Sequence, residues 1–191
     1  NPRGLNKALK EALCPPGEAV QLESIPAGIL HFLKSVNLAA TNGQETIAQA
    51  KEVFPGFIDP DFKNWGCDVT SESTPEMPVA LHELFQNGDF RTIFTSLGTD
   101  LDKLCLTQNQ IIQFCRQHSR LLRLDGYATF FLFKANNEFF VAYVHWLDRE
   151  LSVIVFRLSA YDVWRGGDCH RVVVPCQPAG AAQLTPVTPG A

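Results

Sequence analysis

The sequence predicts an α+β fold in which short amino-terminal helices and strands pack with one helix and a four-stranded antiparallel meander. Four runs rich in β-branched and aromatic residues, DGYATFFLFKA, NNEFFVAYVHWL, DRELSVIVFRLSA and CHRVVVP, follow one another in the carboxyl half. They are separated by Asn136-Asn137, by Asp148-Arg149-Glu150 and by residues 162–167. Breaks this short leave antiparallel pairing as the simple connection. Ahead of them, Thr107-Gln108-Asn109-Gln110 places a hydroxyl residue three positions before a glutamine and directly before Ile111, Ile112, Phe114 and Cys115. That is a capping-box start, and it predicts a helix running to about His118. The chain has 191 residues and is 46% hydrophobic and 19% charged. A chain of this size buries roughly 70% of its unfolded surface and needs no metal or disulfide staple.

Taken in order, residues 4–13 carry Leu5, Ala8, Ala12 and Leu13 at helical spacing, and Pro15-Pro16-Gly17 ends the segment. Residues 18–25, EAVQLESI, alternate like a strand. Pro26 is expected to open a second short helix through IPAGILHFLKSV, with SVNLAA as a possible strand after it. QETIAQAKEVF suits one or two helical turns before Pro55, Gly56 and Pro60. The turn-rich stretch 59–78 is the expected boundary between an acidic layer, 1–76, and the helix plus sheet, 77–176. NGDFRTIFTSLG predicts a short helix stopped by Gly98. The tail, 177–191, has no charge and no periodic apolar pattern and is expected to be disordered.

The net charge is −4 with an isoelectric point near 5.7. Neither a nucleic acid nor an anionic membrane would gain from the chain as a whole, so both partner classes are set aside. The charge is uneven, with 6 basic and 10 acidic residues in 1–76 and 10 of each in the remainder. Eight of the latter ten cations are arginines. Arg116, Arg120 and Arg123 lie in a stretch without acids, and on a helix the first two would share a face. They are a candidate docking strip for an acidic partner, against the plainer reading of a solvated helix face.

The six cysteines, Cys14, Cys67, Cys105, Cys115, Cys169 and Cys176, form no CxxC pair. Zinc clamps and redox dithiols therefore lack sequence support, and no metal or cofactor is expected. No charged, apolar, small-residue leader pattern is read at the amino end. The longest apolar run, residues 139–147, is about half the roughly 20 residues a membrane-spanning helix needs. The expectation is a cytoplasmic protein with reduced, mostly buried thiols, while the start at Asn1 leaves a removed leader open.

Asp168-Cys169-His170 contains the residue types of a thiol nucleophile, a base and an orienting acid. Leading into a strand, Cys169 and His170 would point to opposite faces and could not share a proton. Cys67, in a loop after Trp65-Gly66, is the better isolated nucleophile, with His145 or His170 as bases that could approach it in space. Trp164 and Tyr161 could form an aromatic platform with Trp146, near Tyr143; the plainer reading is that they cover the end of the sheet. No phosphate-loop, dinucleotide or hydrolase signature occurs.

In the first three β runs both alternating faces are apolar, so both should be covered. The cover could be intrachain, a closed sheet, a second subunit or an apolar ligand. The leading expectation is a non-enzymatic binding or assembly module using an apolar sheet face or pocket. Its partner would be a protein, a second copy or an apolar small ligand. The alternatives are a cysteine-dependent enzyme with a Cys/His pair and docking to an acidic partner through the arginine strip.

The succession DPDFKNW, VALHEL, a helix, DGYATFFLF, AYVHW, SAYDVW and HRVVV resembles that of a group of small bacterial proteins. In that group a helix precedes a compact antiparallel sheet whose aromatic-rich strand follows a Gly-Tyr pair. The resemblance covers about residues 5–175 and implies a fold, with no activity or site residue attached to it.

Overall fold

The computed structural model describes residues 28–124 and 126–176. In chain order the elements are β1 (Leu30–Leu38), β2 (Phe57–Ile58), α1 (Asp61–Asn64), β3 (Met77–Leu84), α2 (Phe90–Thr95), α3 (Gln108–Gln117), β4 (Ala128–Ala135), β5 (Glu138–Leu147), β6 (Glu150–Arg157) and β7 (Arg171–Pro175). Single 3-10 turns lie at Ile47–Gln49, Leu101–Leu104, Ser119–Leu121 and Gly166–Asp168. The helix expected at 4–13, the strand at 18–25 and the tail 177–191 lie outside the described residues.

The chain combines helices with one mixed seven-stranded sheet of order β1-β3-β7-β4-β5-β6-β2. Strands β4, β5 and β6 are successive antiparallel hairpins, with Phe130 opposite Tyr143 and Tyr143 opposite Ile154. Both hairpins close through two residues of positive φ, Asn136-Asn137 and Asp148-Arg149. That is the turn whose twist matches the strands.

The four-stranded meander is corrected at its last member. β7 does not continue next to β6 but inserts between β3 and β4, antiparallel to the first and parallel to the second. Residues 158–170 form a strap long enough to cross back over β5 and β4, and Trp164 in the strap packs on Phe130, Tyr143 and Phe156. Gly166 lets the strap approach β3's exit: a Cβ there would lie 2.2 Å from the carbonyl of Phe85.

The helix expected through residues 25–36 is also corrected, because Leu30–Leu38 is an edge strand paired with β3. Leu30 and Leu38 are buried at its ends while the centre is exposed, and the register shifts between Phe32 and Lys34. Pairing with Met77–Leu84 supplies the backbone partners that override the local pattern.

Both sheet faces are covered from within the chain. On one face Phe131, Phe133, Phe140, Ala142, Val144 and Val153 pack with Ile111, Phe114 and Cys115 of α3 and with Leu38, Ile47, Phe54 and Phe62. On the other, Phe130, Leu132, Val141 and Val172 meet Phe90, Ile93 and Phe94 of α2 and Leu104. Residues before and after position 76 thus share one core.

The start of α3 explains how the acidic part is held. Thr107 and Gln110 form the expected capping box, with the Gln110 N–H donating to Thr107 Oγ1 and the Thr107 N–H to Gln110 Oε1. The residues between them reach further. Gln108 accepts from the Ile47 N–H at 3.0 Å and donates to the Cys67 carbonyl, while Asn109 accepts from the Gly43 N–H at 2.8 Å and donates to Glu45. Gly43, at φ +74, sits so close to Ser71 and Glu72 that a Cβ would lie 2.2 Å from the Ser71 carbonyl oxygen.

A candidate binding groove around Trp146

Strand periodicity places Trp146 on the α3 face of the sheet, opposite Leu151 of β6, at the open end of the core. There α3 has ended at Gln117 and the chain turns away, so the sheet end is not roofed. A hollow of about 290 Å³ forms between Val53, Pro55, Cys115, Ser119, Trp146, Arg149 and Leu151. A second, of about 440 Å³, is bounded by Leu124, Gly126, Trp146 and Arg149. Trp146 and Arg149 are common to both, so they form the divide of one apolar groove. The Trp146 Nε1–H faces protein and has no acceptor.

Glu52 and Arg116 also border the first hollow. Arg116 donates to both Glu45 oxygens, at 2.6 and 2.8 Å, and to Glu52. This fork holds the Glu45 carboxyl below the usual carboxylate range and raises the Arg116 guanidinium. Arg116 is therefore neutralised, which corrects its place in a free docking strip. The strip itself is not one helix face: Arg120 lies in the 3-10 turn after α3, and Arg123 follows in extended chain with its guanidinium 5.5 Å from the Tyr127 ring centre. Of the three, Arg116 borders the first hollow, and Ser119 and Leu124 of the same stretch line the two hollows. Arg149 makes no ion pair or hydrogen bond among the described residues.

The aromatic platform is not assembled as expected. Trp164 and Tyr143 lie on the opposite face from Trp146, and Tyr161 is 93% exposed. Trp164 instead joins a packed group with His170, ring centres 5.2 Å apart, and with Tyr143 at 5.3 Å. The Ala128 N–H donates to His170 Nδ1, which leaves the proton of the neutral ring on Nε2, 3.8 Å from Asp168 Oδ2. Burial pushes the His170 pKa down, and the Asp168 carboxylate only partly opposes it. His145 is lowered by burial too, opposed in part by a hydrogen bond to the Tyr143 backbone.

The thiol candidates sit in unpromising surroundings. Cys67 is fully buried beside Phe62, and burial pushes its thiol up to about 11, so it carries almost no thiolate at neutral pH. Cys169 adopts a left-handed conformation at φ 51, with its sulfur toward the Gly167 carbonyl, while His170 turns into the core. Sequence reasoning singled out Trp146 and Arg116 but missed Val53, Pro55, Leu124 and Arg149. Arg149 carried a signal, because it occupies the second place of a two-residue hairpin loop, where glycine is the favoured residue. Among the described residues no helix is long and apolar enough to cross a membrane. No protein-family model, no curated protein and no solved structure matches this chain.

Proposed function

We propose that the protein is a non-enzymatic binding module whose site is the groove around Trp146. The observation that supports this reading is a pair of hollows sharing one tryptophan and one arginine at the unroofed end of an otherwise closed sheet. Small-molecule sites are concave, mainly apolar and furnished with few polar groups, and their volumes start near 300 Å³. Tryptophan and arginine are also the residue types that dominate recognition energies. The sheet faces themselves are filled from within, so the binding surface moves from a whole face to its open end. A buried, protonated Cys67 gives the thiol-enzyme alternative less support.

The test is titration of the protein with 1-dodecanol, an apolar probe without charge, followed by tryptophan emission. The native chain should give a saturable change that Trp146→Phe loses while Trp164→Phe retains it. An unsaturable response, or one indifferent to Trp146, would sink the proposal.

A further inference from the structure

We infer that the groove selects an amphiphile carrying a carboxylate, and that Arg149 is the residue that recognises the charge; this rests on the binding reading above. Two observations meet at Arg149. The first is conformational. Its φ of 69 is left-handed, and the twin hairpin turn uses Asn137 at φ 64, a residue that tolerates this region. Arginine gains nothing there from the backbone and is strained by its Cβ, and residues held in such conformations cluster where a ligand must be met.

The second observation is electrostatic. Of the charged groups bordering the two hollows, Arg116 is held by both Glu45 and Glu52, whereas Arg149 has no partner among the described residues. The groove is therefore apolar, with one unspent cation on the divide between its hollows. An apolar chain would lie against Val53, Pro55 and Leu151 or against Leu124, and its terminal carboxylate would receive the planar guanidinium fork.

Dodecanoate below its micelle-forming concentration and 1-dodecanol below its solubility limit separate this inference from the reading beneath it. Dodecanoate should bind the native chain about tenfold more tightly than the alcohol, a preference that shrinks with added salt. Arg149→Gly should abolish the preference, so that the two probes bind alike, and raise the melting temperature, because glycine relaxes the turn. Arg149→Asn is a second variant with the same expected loss. Equal affinity for both probes, or a preference that survives both variants, overturns the charge assignment while leaving the groove in place. Absence of binding by either probe overturns both. Sedimentation showing a dimer that Trp146→Phe dissociates would make the groove a self-association face and overturn the small-ligand assignment.

Discussion

His170 illustrates how a single side chain is tuned by its position. Its ring is 3% exposed, stacked on Phe130 with centres 4.9 Å apart, and its Nδ1 accepts the Ala128 N–H. A second proton would have to displace that hydrogen bond and place a charge among aromatic rings, so the folded protein holds the ring neutral. His82 and His145 are likewise lowered by burial. For a histidine whose folded pKa is depressed, the unfolded chain takes up the proton more readily. The stabilisation is complete above the unfolded value of about 6.5 and is lost as the pH falls below it. The urea midpoint should accordingly drop between pH 7.5 and pH 5, and His170→Asn, which keeps an acceptor for the Ala128 N–H, should shallow that slope. A midpoint flat across this range would contradict the buried neutral assignment.

At the scale of an element, α3 does more than its amphipathic pattern announces. Its first residues cap it and also clamp the 42–69 segment through Gln108 and Asn109. Gln108→Leu would leave the Ile47 N–H without its acceptor in a buried setting, at about 1–3 kcal/mol, and the Cys67 carbonyl with only the Val69 N–H. Chemical denaturation should register a loss in that range or above it, and a near-neutral variant would mean that water replaces the amide. Further along, Phe114 is fully buried against Phe131, with ring centres 5.4 Å apart. Phe114→Ala should cost about 3–5 kcal/mol by the same measurement.

For the whole molecule, the decisive feature is that strands from both ends of the described chain enter one sheet. β1 and β2 form its edges, and residues on either side of position 76 fill the same core. Unfolding should therefore be a single cooperative transition, with tryptophan emission and far-ultraviolet circular dichroism giving coincident curves. Separated transitions would show that the acidic part melts by itself. Gly166→Ala would push the strap off Phe85, and because the strap positions β7 between β3 and β4, it should lower the common midpoint without splitting it.

Local pattern was enough for the capping box, for helix α3 and for the three hairpin strands, because each is specified by neighbours a few residues apart. It was enough also to require that both faces of the β4–β6 sheet be covered, since apolar residues at every position leave no side for water. It misread residues 30–34 as part of a helix, while the strand expected from residue 35 is the end of β1, and it placed the last strand beside β6. Pairing of β1 depends on partners 39 to 54 residues away, and nothing in a strand's own sequence names its neighbour. The groove belongs to the same category: Val53, Leu124, Trp146 and Arg149 are separated in sequence and meet only where α3 stops short of the sheet's end. The sequence by itself determined which segments must be buried; tertiary structure alone decided which surface was left open, because an opening is defined by the packing of everything around it.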